Sequence, residues 1–298
     1  MHTTLRDMLS RYRTHIDILD IELLIAHVLE KSREFVLTHL EDSLSVSQTE
    51  AIEKLLNRRA QHEPIAYILG TREFFGLNFD VTKDTLIPRP ETELMVEEIL
   101  KSIDRHNREG RACDIIDVGT GSGAIAISVA HELLKNESEN DRHTFSAVDI
   151  SEQAIAVAKE NAKKNHLEKK ISFAHSDLLE NVSAKLLEKK IDTLIVAANL
   201  PYLSYAIYES SMDDVKNFEP KSALVSEEEG LHHYRRLLEQ LKKIHAAKPN
   251  TRIELFFEIS PEQKDALEKM IVAFFPNAST ETLHDLSGKY RLAVSRIY

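Results

Sequence analysis

From residue 94 to the C-terminus, short apolar runs alternate with stretches of helical period, and this alternation restricts the fold more than any other feature of the chain. The runs CDIIDV, FSAVD, ISFAH, DTLIVAA and IELFFEI are each bounded by polar or helical sequence. Their β-branched and apolar content predicts strands covered on both faces, as in a parallel sheet. Around them, helices are predicted over 92–103, 123–135, 151–165, 228–245 and 261–275. Such alternation joins neighbouring parallel strands through right-handed crossovers, so the expected fold class is α/β, a doubly wound and mostly parallel sheet. TETLHD and YRLAVSRIY close the chain as an expected antiparallel hairpin at one edge.

Upstream the pattern changes. Residues 1–62 contain no Gly or Pro and carry apolar stripes at helical spacing, through Leu5, Met8 and Leu9, then Ile18 to Leu29, then Ala51, Leu55 and Leu56 after the cap-like SVSQTE. A small helical bundle is expected there. Residues 63–93 hold Gly70, Gly76, two aromatic clusters and paired prolines. The alternation in EFFGLNFDV predicts a β-hairpin, and so much Phe and Ile marks an ordered linker, not a flexible one. The expected organisation is therefore a helical domain over 1–62, a linker over 63–93 and the α/β domain over 94–298.

Composition excludes several classes. Hydrophobic residues make up 42% and charged residues 29% of the 298, as in a soluble globular protein. No apolar run reaches membrane-spanning length, and MHTTLRDMLSRYR lacks the apolar core of a signal peptide, so a cytoplasmic protein is expected. The net charge of −11 argues against a surface that grips duplex nucleic acid. The single cysteine, Cys113, has no disulfide partner within the chain and is expected as a buried apolar side chain. His232 and His233 lack metal-ligand spacing and are expected on a solvated helix face, with no metal site.

The chemistry is expected where the parallel strands end, because ligands of open α/β sheets bind at the carboxyl edge. The first strand runs into Gly119-Thr120-Gly121-Ser122-Gly123. Glycines allow a sharp turn and the close approach of a ligand to backbone N–H groups. The second strand ends at Asp149, whose carboxylate can accept from both hydroxyls of a ribose. The third leads to Asp177 and Leu178, an acceptor for an adenine amino group and an apolar wall for its ring. Together they predict a nucleoside-type cofactor. The five-residue turn lacks the spacing of a pyrophosphate-binding G-x-G-x-x-G, so S-adenosylmethionine fits better than NAD. The fourth strand ends in Asn199-Leu200-Pro201-Tyr202.

With GTGSG, VD, SDLL and N-x-P-Y in this order, the chain resembles class I S-adenosylmethionine-dependent methyltransferases. More narrowly, EPIAYILGTREFFGLNFDV, TLIPRPETE and NFEPKSAL resemble the HemK/PrmC family of protein-(glutamine-N5) methyltransferases, over nearly the whole chain. The resemblance implies transfer of a methyl group to the GGQ glutamine of a class 1 peptide chain release factor; the separate helical domain on its ordered linker is expected to dock that substrate, and the protein is expected to be a monomer. The implied catalytic residues are Asn199, Leu200, Pro201 and Tyr202, with Asn199 also at the cofactor. The Asn199 side-chain oxygen and the Leu200 carbonyl would accept the two N–H bonds of the substrate amide. Pro201 restricts Leu200 to extended backbone, and Tyr202 would form a wall over the amide plane. One position departs: the family usually reads Asn-Pro-Pro-Tyr. Asn-Leu-Pro-Tyr is also typical of rRNA adenine dimethyltransferases, which leaves RNA adenine-N6 methylation as the alternative. IPRPETE is expected either in the cleft wall, through Arg89, Glu91 or Thr92, or as a rigid turn before a helix.

Overall fold

The computed structural model describes residues 3–135 and 142–298; the first two residues of the N-terminal run lie outside it. The chain divides into two compact units, one comprising the residues up to Thr71 with Met212–Phe218, the other Arg72–Ser211 with Glu219–Tyr298.

The first unit is helical. Helices Leu5–Tyr12 and Val46–Ala60 each begin with a capping box, Thr4 with Asp7 and Ser45 with Gln48, while Asp17 and Ser32 cap Ile18–Leu29 and Arg33–Thr38. Each cap satisfies N–H groups that the first helical turn leaves unpaired, for about 1 kcal/mol. Met8, Ile21, Leu24, Ile25, Ile52 and Leu56 are fully buried together. The packing stripe of Val46–Ala60 runs through Ile52, not the exposed Ala51, and Ile18 and Leu19 face solvent. Helix Ile65–Leu69, stopped by Gly70 at φ 74°, also belongs to this unit. Residues 63–71, expected in the linker, are thus part of the helical unit because Ile68 is buried in its core.

A hairpin follows, β1 (Thr71–Phe74) and β2 (Leu77–Asp80), and from Arg72 on it belongs to the second unit. Its two-residue turn places Phe75 and Gly76 at φ 52° and 72°, the backbone that matches the twist of the flanking strands. Helix Glu93–Arg108 buries Met95, Val96, Ile99 and Ile103 at spacings of one, three and four residues, each worth about 1.5–3 kcal/mol out of water. The main sheet follows: β3 (Cys113–Val118), β4 (Thr144–Asp149), β5 (Ile171–His175), β6 (Thr193–Ala198), β7 (Arg252–Glu258), β8 (Ser279–His284) and β9 (Tyr290–Ile297), in the order β5-β4-β3-β6-β7-β9-β8. All but β9 and β8 are parallel, and β9 lies antiparallel between β7 and β8, so the closing hairpin contributes one interior and one edge strand. All six residues of β3 and of β6 are buried, as expected of strands covered on both faces. Cys113 is buried and its thiol is pushed up to about 12 by desolvation.

The chain order reverses at β3, whose neighbours are β4 on one side and β6 on the other. Registers Val118↔Val148 and Val118↔Ala198 bring the carboxyl ends of these strands level, which is the condition for a crevice there. Helices Ala124–Leu134, Glu152–Lys164, His232–Ala247 and Lys264–Phe274 occupy the expected segments. The predicted start at 228 is displaced, because Glu228, Glu229 and Gly230 have φ of 54°, 53° and 85° and cannot continue a right-handed helix. Among the described residues no helix is long and apolar enough to cross a membrane.

Candidate active site

A cavity of ≈ 270 Å³ opens at the carboxyl ends of β3, β4, β5 and β6 within the second unit. Gly119, Thr120, Gly121 and Ser122 form its floor, Asp149, Asp177 and Leu178 one side, and Asn199, Leu200 and Pro201 another. Residues drawn from four separate strand ends therefore meet in one place. Gly123 and Tyr202 do not line it.

The glycine loop is held from below. Asp117 Oδ2 accepts from the Thr120 hydroxyl at 2.7 Å and from the Ala126 N–H at 3.2 Å, which ties the turn to the start of the following helix. Complete burial pushes this carboxyl up to about 6, the desolvation outweighing both hydrogen bonds. The three glycines serve different needs. At Gly121 (φ 56°) a Cβ would meet nothing within 4 Å, so this is the open position beneath the cavity. At Gly119 a Cβ would come within 2.9 Å of Leu200 Cδ2, and at Gly123 within 3.2 Å of Ala158 Cβ. Gly123, expected to touch the cofactor, thus serves the close packing of two helices.

Asp149 is fixed by backbone donors, Gly121 N–H on Oδ2 and Ser151 N–H on Oδ1, both at 2.9 Å. An ionised carboxylate has about four acceptor sites, so acceptor capacity remains for ribose hydroxyls. Burial raises its pKa, opposed by those N–H groups. Asp177 accepts from Arg236 at 2.8 Å, a partner on the helix His232–Ala247 that no local motif announced. Leu178 holds φ 52°, an unusual backbone for a leucine, with its side chain buried at the cavity. His233 also lines the cavity, contrary to its expected place on a solvated face; it lies in the first turn of a helix that starts at the sheet's carboxyl edge. Burial lowers its pKa, with His232 and Arg236 adding repulsion.

Beyond β6 the backbone is braced on both sides. Leu203 exchanges hydrogen bonds with Leu224 and Ser226, and Gln263 Nε2 donates to the carbonyls of Tyr202 and Glu229 at 2.8 Å each. Gly230 packs so closely beneath Tyr202 that a Cβ would sit 1.9 Å from its carbonyl oxygen. Asn199 Nδ2 donates to Thr92 Oγ1 at 3.2 Å, and the Thr92 hydroxyl donates to Glu258 Oε2 at 2.6 Å. Asn199 Oδ1 is buried without a partner. The partly buried Tyr202 ring packs against the core, its hydroxyl 3.4 Å from Glu258 Oε1. The expected wall over a substrate amide is thus not among the surfaces that line this cavity.

IPRPETE contributes to the wall through Pro88, Arg89 and Thr92, and Pro90–Thr92 is also the turn that starts the next helix. Both expected roles coexist. Arg89 donates to Glu219 Oε1 at 2.5 Å, and Glu219, almost wholly buried, also accepts from the Ile87 N–H at 3.3 Å. This joins TLIPRPETE to NFEPKSAL across more than a hundred residues. Glu258, Asp117 and Arg236 escaped sequence reasoning; a carboxylate at the end of a buried strand, as Asp117 in CDIIDV and Glu258 in RIELFFE, was an available signal for the first two. Among the described residues no group of three or more His, Cys, Asp or Glu could hold a metal ion.

Comparison with known proteins yields the same pattern along the chain. Residues 3–70 match the PrmC N-terminal domain and residues 109–273 a methyltransferase domain. The chain is 33% identical over 276 residues to a release factor glutamine methyltransferase of Bacillus cereus, covering 93% of this chain and 91% of that one. It is 34% identical over 280 residues to one of Clostridium botulinum, covering 94% and 92%. A bifunctional methyltransferase of Rickettsia felis is 34% identical over 309 residues, 96% of this chain but only 55% of that longer protein. Among solved structures, the human Mettl16 catalytic domain in complex with a MAT2A 3'UTR hairpin has a TM-score of 0.52 at 14% identity, with 92% of each chain covered; this likeness is one of fold.

Proposed function

Because the chain belongs to the release factor glutamine methyltransferases, and so is an S-adenosylmethionine-dependent methyltransferase, we propose that it methylates the side-chain amide nitrogen of the GGQ glutamine of a class 1 peptide chain release factor. The observation that carries this reading is the buried, unpartnered Oδ1 of Asn199 at a cavity that also presents Asp149 and an open Gly121. A buried acceptor left without a hydrogen bond costs about 1–3 kcal/mol, a cost that an incoming N–H removes.

The residues fit a nucleoside cofactor. Gly121 leaves room for close approach, Asp149 has acceptor capacity for ribose hydroxyls, and Leu178 supplies an apolar surface for a base. When bound, S-adenosylmethionine supplies an electrophilic methyl group. The protein's task lies with the acceptor. An amide nitrogen is a weak nucleophile because its lone pair is delocalised into the carbonyl. Asn199 Oδ1 and the Leu200 carbonyl would each accept one N–H of the glutamine amide, fixing the nitrogen and stabilising positive charge that develops on it. Pro201 keeps Leu200 out of helical backbone and so fixes that carbonyl. Leu200, where the family usually has Pro, keeps the carbonyl and adds a side chain that packs on Gly119.

An adenine amino group offers the same pair of N–H bonds, so the substrate is decided by assay. Incubation with S-adenosylmethionine should add one methyl group to the GGQ glutamine of purified release factor, read by mass spectrometry, and Gln→Ala in the release factor should abolish it. Methyl label appearing in RNA and none in release factor would replace this reading with adenine methylation. With a release factor as substrate, we further infer that the enzyme works in the cytoplasm and as a monomer.

A further inference from the structure

We propose that Glu258, acting through the Thr92 hydroxyl, sets which way the Asn199 amide faces, so that the site is held in the orientation that accepts an amide substrate while Glu258 is ionised and is released from it on protonation. This rests on the amide-methylation reading for its consequence, though not for its geometry. The three groups form one chain: Asn199 Nδ2 to Thr92 Oγ1 at 3.2 Å, Thr92 Oγ1 to Glu258 Oε2 at 2.6 Å. Thr92 lines the cavity, whereas Glu258 stands behind it, 2% exposed at the end of β7. Glu258 is therefore a positioning residue that does not itself reach the substrate.

The direction of the chain follows from donor counting. A threonine hydroxyl has one proton and two lone pairs, and an ionised carboxylate only accepts. Facing ionised Glu258, Thr92 must spend its proton there and offers Asn199 only lone pairs. The amide then has one satisfactory orientation, Nδ2 toward Thr92, which leaves Oδ1 as the buried unpartnered acceptor. Turned over, the amide would set Oδ1 against the Thr92 lone pairs and present its own N–H bonds to a substrate N–H. Once Glu258 is protonated it can donate to Thr92 Oγ1, which frees the Thr92 proton for Oδ1. Both amide orientations are then satisfied, and the acceptor is no longer enforced.

The surroundings put this switch within reach. Glu258 has no ion-pair partner within bonding distance among the described residues. It faces the Tyr202 hydroxyl at 3.4 Å, and the Tyr234 hydroxyl donates to its backbone carbonyl. Arg291 on β9 attracts it from a distance while held by Asp285 at 3.3 Å, Glu91 repels it, and Arg89 acts on the neighbouring Tyr202. Burial outweighs the Thr92 bond and the Arg291 charge and pushes the carboxyl up to about 7.

The test uses the full chain labelled with [15N]asparagine, the Asn199 side-chain resonances being assigned by their loss in Asn199→Asp. Those resonances should move with pH around a midpoint near 7 in the wild type and stay still in Thr92→Val. In methyl-transfer assays kcat should fall on an acid limb with the same midpoint. Thr92→Val should lower kcat by about tenfold and flatten that limb, with S-adenosylmethionine affinity unchanged by calorimetry, while Thr92→Ser recovers most of the rate. Wild-type Asn199 resonances that do not titrate, or that titrate equally in Thr92→Val, would overturn the proposal. Titration without methyl transfer to release factor would instead sink the substrate reading and leave the relay standing.

Discussion

Leu200 and Asn199 adjoin on the backbone but do opposite work: one side chain is packed on Gly119, and the other keeps a buried oxygen unspent. Asn199→Ala removes an acceptor that matters most as charge develops on the substrate nitrogen. It should lower kcat about a hundredfold with little change in cofactor affinity, and near-normal turnover would take Asn199 out of the reaction. Asp149→Ala should act on binding instead, weakening S-adenosylmethionine by about 1.5–3 kcal/mol in calorimetry because a charged acceptor is lost. Gly230 carries a different constraint, since any Cβ there collides with the Tyr202 carbonyl and with Gln263 Nε2, at 1.9 Å and 2.3 Å. Gly230→Ala must therefore displace the loop that carries Asn199. Loss of transfer should accompany a fall in melting temperature, and an unchanged melting curve would contradict the packing.

At the scale of elements, the sheet and the helix that leads into it are joined by a buried polar cluster. Glu254 on β7 accepts from Ser102 at 2.5 Å, from Arg105 at 3.0 Å and from His106 at 2.9 Å, all on helix Glu93–Arg108. Burial alone would raise this carboxyl, but the hydrogen bonds from His106 and Ser102 and the Arg105 charge outweigh it and bring it down to about 2. A depressed carboxyl stabilises the fold above its unfolded value and loses that contribution as pH falls through its folded value. Stability should therefore decline from about pH 4.5 down to about 2, by about 3 kcal/mol for this group. Glu254→Gln should flatten that part of the acid-denaturation profile, and a profile identical to wild type would deny the cluster its role. The same helix begins at Thr92, so an element anchored by Glu254 at one end delivers the relay hydroxyl at the other.

For the whole molecule, the division after Thr71 separates a unit that holds every residue of the cavity from one that holds none. A chain beginning at Arg72 should fold and bind S-adenosylmethionine with unchanged affinity, yet methylate intact release factor at least about tenfold less efficiently, if the helical unit serves docking. Equal kcat/KM for the truncated and full chains would remove that role.

The sequence by itself determined the elements and the cradle. Period and composition are local properties, so the parallel strands, most of the helices, the hairpin turn at Phe75-Gly76 and the glycine loop after β3 were all legible. So was the meeting of Asp149, Leu178 and Asn199 at one edge, because the rule that parallel strands end together needs no coordinates. What only the tertiary structure decided was which polar groups pair across long stretches of chain: Thr92 and Asn199 with Glu258, Arg89 with Glu219, Asp177 with Arg236. It also decided that the Tyr202 ring packs against the core and that His233 lines the cavity. A side chain's partner depends on how distant elements stack, and every buried polar atom must find one from whatever the packing brings within reach.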